Sequence, residues 1–151
     1  MKVTKLGHCC LVLELPGANP SDASGRVRLL TDPGNFTDAQ NTIGGIDAVL
    51  ITHEHQDHLH VESLKRVLKT NPSAVVVTNS AVSAILKKEG IAATQVGDGE
   101  STEVKGIKIE GFGKDHALVY PPNLGLVENT GYFVDNKFYF PGDNFHNPGK
   151  K

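Results

Sequence analysis

The residues best suited to metal chemistry in this sequence lie in one histidine-rich segment, residues 53–60. Four of the seven histidines of the chain fall within these eight positions, and Asp57 lies among them. The segment directly follows Asp47–Thr52, an aliphatic and β-branched run that predicts a buried strand. A buried strand that ends in this pattern delivers several nitrogen and oxygen donors to one edge of a sheet.

The spacing of these donors favours a metal site. His53 and His55 are two residues apart, so in an extended backbone their side chains project to the same side and can bind one cation. Asp57 and His58 follow after the chain must turn, and they would face a second position nearby. Imidazole combined with carboxylate suits zinc, iron or manganese and does not suit an all-oxygen calcium site.

Two familiar kinds of zinc site do not fit these residues. A helical His-Glu-x-x-His site would need a histidine at position 57, where Asp57 stands. The two cysteines, Cys9 and Cys10, are adjacent, so they can build neither a paired-cysteine zinc finger nor an ordinary structural disulfide. A polar surface loop that happens to be rich in histidine remains as the alternative, and the alternation behind a hydrophobic strand argues against it.

Length and composition predict one globular domain over residues 1–151. A chain of this size buries about 70% of its unfolded surface. The formal net charge of −2 offers no basic surface for nucleic acid or an anionic membrane. The first residues lack a long apolar run, so we predict neither a signal peptide nor a membrane span. With two neighbouring cysteines, we expect a cytoplasmic protein.

Hydrophobic periodicity predicts an α/β order of elements around the histidine segment. Expected before it are two strands within residues 3–15, broken near Gly7, and a third over Arg26–Thr31. A helix that stops at residues 70–72, a strand over Ala74–Thr78 and a helix capped by Asn79 or Ser80 are expected after it. From residue 91 onward, short strands and turns predict a second sheet, including a hairpin at residues 135–136.

The pattern His53-x-His55-x-Asp57-His58, after a strand and before a helix, resembles the signature of the metallo-β-lactamase superfamily of dinuclear metal hydrolases. The opening strand followed by Gly7 and His8 is most similar to the small lactonase-like members. The resemblance covers nearly the whole chain. It implies a metallo-β-lactamase-like αββα sandwich, in which the first two histidines bind one metal ion and the aspartate and following histidine bind a second.

Two later residues complete the ligand set that the resemblance implies. His116 follows the predicted strand 106–112 and is the candidate third ligand of the first metal, since no better one lies between His60 and Asp143. Asp143 follows a predicted strand and a Pro-Gly pair; it is either a turn residue or the aspartate that bridges both metals, and the bridge is favoured. His146 could be a ligand only through a tight turn.

Two further residues stay open at this point. His8 is either a substrate or oxyanion contact that reaches the site from the first hairpin, or a structural residue. Asp32 is either the start of a turn or a hydrogen-bond acceptor that fixes a metal ligand, because ligand histidines usually need such an acceptor.

The implied cofactors are two divalent metal ions, with zinc favoured over manganese or iron. They would lower the pKa of a shared water, and the resulting hydroxide would attack an ester, lactone, amide or phosphodiester of a small molecule. Asp57 would orient this nucleophile as well as bind metal. A nuclease of the same fold would need a basic surface, and the acidic balance speaks against it.

Members of the family continue beyond the Gly-Asp strand to a final histidine that completes the second metal site, whereas this chain ends eight residues after Asp143. The resemblance therefore implies a C-terminally truncated sandwich. The alternative function is an inactive or non-enzymatic metal-binding fragment that lacks the last ligand. Apolar strands expected over residues 132–134 and 138–140 would lack their usual cover, which predicts a homo-oligomer.

Overall fold

The computed structural model of the protein describes residues 1–17, 25–118 and 126–150. Within these ranges the chain forms two sheets. The first sheet has six neighbouring strands: β1 (Lys2–Gly7), β2 (Cys10–Pro16), β3 (Arg26–Thr31), β4 (Ala48–Ile51), β5 (Val75–Thr78) and β6 (Thr94–Gln95). The second sheet has four: β7 (Ser101–Val104), β8 (Ile107–Phe112), β9 (Gly131–Val134) and β10 (Phe138–Phe140).

The two α-helices are crossovers of the first sheet. Helix α1 (Val61–Thr70) connects β4 to β5, and α2 (Ser80–Lys88) connects β5 to β6. The four strands β3 to β6 run parallel. A short 3-10 helix covers Ala39–Thr42. In an open parallel sheet, ligands bind beyond the carboxyl ends of the strands. The histidine segment follows the carboxyl end of β4, and this edge is therefore where a site is expected.

Apolar alternation along the strands divides the core into two layers. One face of the first sheet packs against α1 and α2, and its other face packs against the second sheet. In β2, for example, Val12 points to the helices, whereas Leu13 and Leu15 point to the second sheet. The sandwich of the predicted metallo-β-lactamase-like fold is confirmed, and the described ranges build three of its layers: helices, first sheet and second sheet.

The helix boundaries follow from their capping residues. Asn79 caps α2, because its side-chain oxygen accepts a hydrogen bond from the Val82 amide at 3.0 Å. Helix α1 ends at Thr70, and the Asn71 that follows donates its amide to the Val67 carbonyl. Leu64 and Val67 are the buried apolar residues of α1. The predicted end of α1 and the predicted cap of α2 are confirmed.

One prediction about the second sheet is wrong. The sequence predicts that the short strands after residue 91 belong to it, but β6 pairs in parallel with β5 and closes the edge of the first sheet. The physical reason is the β-α-β connection, in which α2 returns the chain to a position beside β5 and parallel to it. Two residues are too few to show which sheet a strand joins. The predicted hairpin is confirmed, with Asp135 and Asn136 both at φ of 51°. Its loop is one residue longer than the predicted two, because Lys137 also lies between the paired Val134 and Phe138.

The outer face of the second sheet carries aromatic side chains. The Phe112 and Tyr139 rings lie edge to face at 6.4 Å, and the His146 ring stacks on Phe112 at 6.3 Å. The Lys150 ammonium lies 5.6 Å from the centre of the same Phe112 ring. Self-association through this face stays a prediction, which sedimentation would measure. Neither helix of the described ranges is long and apolar enough to cross a membrane.

Candidate metal centre

The loops after β3 and β4 pack directly on each other and place the histidine segment. The amides of His58 and Leu59 both donate to the His55 carbonyl, at 2.9 and 2.7 Å, which makes the segment a compact turn. Gly34 faces this turn so closely that a Cβ atom at position 34 would overlap the carbonyl oxygen of Asp57. A glycine is therefore required where the two loops meet.

Three histidines form one half of the site, which we call the three-histidine cluster: His53, His55 and His116. Nε2 of His53 lies 3.1 Å from Nδ1 of His55. One ligating atom from each residue lies within 4.8 Å of the others. His116 comes from the loop after β8, which is fixed here because the Ala117 amide donates to the Asp143 carbonyl at 2.7 Å. Three residues from two distant parts of the chain thus converge.

The other half, which we call the carboxylate cluster, comprises Asp57, His58 and Asp143. Nε2 of His58 lies 3.6 Å from Oδ2 of Asp57 and 3.4 Å from Oδ1 of Asp143. Oδ2 of Asp57 also lies 2.8 Å from Nε2 of His8, which belongs to the turn between β1 and β2. His8 therefore reaches the site by holding a carboxylate of this cluster.

Asp143 faces both clusters at once. Its Oδ2 lies 3.4 Å from Nε2 of His116, while its Oδ1 lies 3.4 Å from Nε2 of His58. The Asp143 amide donates to Oδ1 of Asn129 at 3.0 Å, which fixes the backbone. Gly142, at φ of 62°, leaves no room for a Cβ atom between the side chains of Asn129 and Thr52. One carboxylate is thus held with an oxygen toward each half.

Hydrogen bonds at Nδ1 direct Nε2 of three histidines into the site. His58 donates from Nδ1 to Oδ2 of Asp32 at 2.7 Å, and His116 from Nδ1 to the Ala117 carbonyl at 2.7 Å. Thr52 donates its hydroxyl to Asp32 and thereby accepts from Nδ1 of His53 at 3.0 Å. Such partners fix the tautomer of metal-binding histidines. Asp32, fully buried with φ of 34°, is therefore both a turn residue and the acceptor.

The donors fit a divalent metal ion. Nε2 of His58 and Nε2 of His116 are buried and have no hydrogen-bond partner among the described residues. Neighbouring donors in the two clusters lie 3.1–3.6 Å apart. Ligands on a tetrahedral zinc ion with bonds of about 2.0–2.1 Å are separated by about 3.4 Å. Imidazole and carboxylate donors at this spacing match zinc, iron or manganese in both type and position.

The two clusters differ in the protonation of their histidines. Burial lowers the pKa of His53 to about 2, and the neighbouring His58, His55 and His116 add to this effect. Burial also opposes a charge on His58, but the hydrogen bond and the charge of Asp32 outweigh it and raise the pKa of His58 to about 10. For Asp57, burial acts upward, yet the His58 charge and hydrogen bonds leave its pKa below the usual range.

The structure brings together every residue that the sequence proposed for the site: His8, His53, His55, Asp57, His58, His116 and Asp143. His146 lies away from them, on Phe112, and His60 contacts Ser63 at the start of α1. Sequence reasoning missed Cys9, whose ligating atom joins those of His8 and His58 in a third group. It also missed Asn129, for which the sequence carries no signal.

Comparison with known proteins gives consistent matches. The family model described as a β-lactamase superfamily domain matches residues 2–151. Protein Rv0786c of Mycobacterium tuberculosis is 33% identical over all of this chain and 68% of its own length. A UPF0173 metal-dependent hydrolase of Flavobacterium johnsoniae is 26% identical, over 95% of this chain and 62% of its own length.

A solved structure shares the fold. Igni18, a metallo hydrolase from the archaeon Ignicoccus hospitalis, superposes with a TM-score of 0.64 at 20% identity, over 94% of this chain and 60% of that protein. The chain therefore spans about two-thirds or less of the length of these three proteins.

Proposed function

Because this chain belongs to the metallo-β-lactamase superfamily, we propose that it is a metal-dependent hydrolase with a two-metal site. His53, His55 and His116 would hold the first ion, Asp57 and His58 would hold the second, and Asp143 would serve both. Zinc is the proposed metal, since imidazole-rich sites of this kind suit it. The substrate is a small-molecule ester, lactone, amide or phosphodiester.

A single observation carries this proposal: the two oxygens of Asp143 face the two clusters separately. Each lies 3.4 Å from Nε2 of a buried histidine, His116 on one side and His58 on the other. A carboxylate in this position serves two ions with one side chain. Two-metal hydrolysis needs ions about 3.5–4 Å apart, which a bridging carboxylate provides.

The chemistry divides between the ions and the side chains. Bound divalent ions polarise the substrate oxygen and make a water nucleophilic near neutral pH. Asp57 is the residue proposed to orient that water. Its carboxylate is partly exposed and is held at Oδ2 by His8 at 2.8 Å, so it is both accessible and fixed in direction. His8 accordingly positions Asp57 and borders the substrate space.

The test begins with metal content. The purified protein is stripped with a chelator, reloaded with zinc or manganese, and analysed for metal equivalents per chain. Each form is then assayed on a panel of lactones, thioesters and phosphodiesters. We expect close to two equivalents and metal-dependent turnover of at least one ester class. Absence of metal binding would overturn the proposal.

Asp143→Asn and His146→Ala form a matched pair for this test. Asp143→Asn keeps the size of the side chain but removes the charge shared by both clusters, so we expect it to lower occupancy and turnover. His146→Ala changes a histidine three residues away that lies on Phe112, and we expect it to leave both intact. One equivalent without turnover on any substrate would favour the second candidate, a non-enzymatic metal-binding domain.

A further inference from the structure

The turn between β1 and β2 brings a thiol close to His58, the histidine of the carboxylate cluster. The ligating atoms of His8, Cys9 and His58 all lie within 4.8 Å of one another. His8 also bonds Asp57, and its ring lies 5.4 Å from the His58 ring. Cys9 is half-buried and is not disulfide-bonded. The thiol therefore belongs to the same corner of the site as the second metal position.

The position of Cys9 is fixed by the end of β3. The Cys9 carbonyl accepts a hydrogen bond from the Thr31 hydroxyl at 2.8 Å, and that hydroxyl oxygen accepts one from the Leu11 amide at 3.0 Å. Thr31 is fully buried and directly precedes Asp32, the residue that holds His58. Cys9 and His58 are thus tied to neighbouring residues of one strand end, and their separation does not depend on a free loop.

A second observation points to a ligand at this corner. Nε2 of His58 is fully buried and has no hydrogen-bond partner among the described residues. A buried nitrogen without a partner is costly, so an ion there would satisfy it. His58 belongs both to the group with Cys9 and to the group with His53 and Asp143. Tetrahedral zinc bonds of about 2.3 Å to sulfur and 2.0–2.1 Å to nitrogen separate the two donors by about 3.6 Å. An ion shared by Cys9 and His58 therefore fits within the 4.8 Å that bounds their group.

We propose that the Cys9 thiolate is a ligand of the ion held by Asp57, His58 and Asp143. The inference rests on the proposed function and adds a sulfur donor to its second metal position. A sulfur–metal bond forms, and the thiol proton is released to solvent. Thiolate ligands select soft and borderline ions, so the second position takes zinc, cobalt(II) or iron(II) in preference to manganese or magnesium.

The neighbouring Cys10 provides a matched control. Its side chain is buried in the core between the first sheet and the helices. Burial, with the charges of Asp32 and Cys9, raises the pKa of Cys10 to about 12, so it stays a thiol. Cys10→Ala leaves Cys9 as the single thiol of the chain, because the sequence contains two cysteines. Cys9→Ser removes the proposed donor and keeps its size.

The experiment loads the metal-free protein with cobalt(II), whose bonds to thiolate give charge-transfer absorption in the near ultraviolet. We expect this absorption in the wild type and in Cys10→Ala at the second equivalent of cobalt, and its loss in Cys9→Ser. Zinc should slow the reaction of Cys9 with a chromogenic disulfide in Cys10→Ala. Removal of the ligand should weaken the second equivalent at least about tenfold and spare the first.

The outcomes separate the inference from the proposed function. Two equivalents of cobalt without charge-transfer absorption would overturn the role of Cys9 and leave the two-metal hydrolase standing. Absorption that survives in Cys9→Ser but disappears in Cys10→Ala would also overturn it. Failure to bind cobalt at all would overturn both. Elemental analysis of each variant decides which of these applies.

Discussion

The three-histidine cluster and the carboxylate cluster offer a cation donors that differ in burial and in protonation. His53 and His116 are 0% and 8% exposed, whereas the carboxylate side chains of Asp57 and Asp143 are 28% and 40% exposed. The first cluster offers nitrogen donors. Among them, His53 has a pKa of about 2 and is therefore neutral near pH 7. The second combines negative oxygens with His58, whose pKa of about 10 means that its ring carries a proton on both nitrogens near pH 7.

This difference indicates which ion the fold binds more firmly. An ion in the three-histidine cluster meets a His53 nitrogen that is already free of a competing proton. An ion in the carboxylate cluster must displace the His58 proton and replace the hydration of two carboxylates. We therefore expect the first ion to bind tightly and the second to exchange readily.

His53→Ala should have the largest effect, because it removes a buried donor from the tighter cluster. We expect the affinity for the first ion to fall at least about 100-fold, beyond the loss caused by removing an outer hydrogen-bond partner. Titration against a chromophoric chelator measures this. Folding should change little, because β4 carries the local core, and circular dichroism checks it. His146→Ala is the control; unchanged metal content in His53→Ala would contradict the ligand assignment.

Asp32→Asn should weaken metal binding in the carboxylate cluster more than in the three-histidine cluster. Asp32 is fully buried and accepts hydrogen bonds from the Thr52 amide, the Thr52 hydroxyl and Nδ1 of His58. The asparagine side chain would place an NH2 group where Asp32 has an acceptor oxygen, so one of these donors would lose its acceptor. This should cost about 1–3 kcal/mol of stability. The second ion should weaken about 10–100-fold, and the first less, since Thr52 stands between Asp32 and His53.

The control for this substitution is Asp38→Asn, which changes an exposed aspartate whose partner is the Asn41 amide. Urea denaturation and metal titration of both variants give the two quantities. Equal weakening of both ions in Asp32→Asn would show that the clusters are not supported separately.

In the metal-free protein, His53 and His58 should make stability depend on pH in opposite directions. The pKa of His53 is about 2 in the fold and about 6.5 in the unfolded chain. Its contribution is therefore present above pH 6.5 and is lost as the pH falls. The pKa of His58 is about 10 in the fold, so its contribution is present below pH 6.5 and is lost as the pH rises. Each residue contributes up to about 1.4 kcal/mol per pH unit.

Denaturation of the metal-free wild type, His53→Gln and His58→Gln across pH tests this. We expect His53→Gln to flatten the acid limb of the stability curve alone and His58→Gln to flatten the alkaline limb alone. If neither substitution alters its limb, other groups control the pH dependence.

His8→Ala should have the smallest effect, because the residue acts on Asp57 through one hydrogen bond of 2.8 Å. We expect the second ion to bind about tenfold more weakly, the low end for a residue that supports a ligand. His8→Gln, which keeps a donor, should restore part of the affinity. A larger loss in His8→Ala than in His53→Ala would reverse the ranking of the two clusters.

Local sequence was enough to predict the donors and the elements that carry them. The alternation of His53 and His55 behind an aliphatic strand, and the periodicity of Leu64 and Val67, are local patterns that survive in the fold. Local patterns are readable because the strand and helix periods are properties of the backbone. His116 and Asp143 were predicted through the resemblance of the whole chain to one family.

The way in which these donors meet depends on the tertiary structure. Asp143 lies between His58 and His116 because these three residues, which are far apart along the chain, converge at one sheet edge. Cys9 reaches His58 through a turn held by Thr31, and β6 joins the first sheet rather than the second. These contacts depend on packing between distant segments, which no short sequence pattern encodes. The chemical type of each donor, in contrast, is read directly from the sequence.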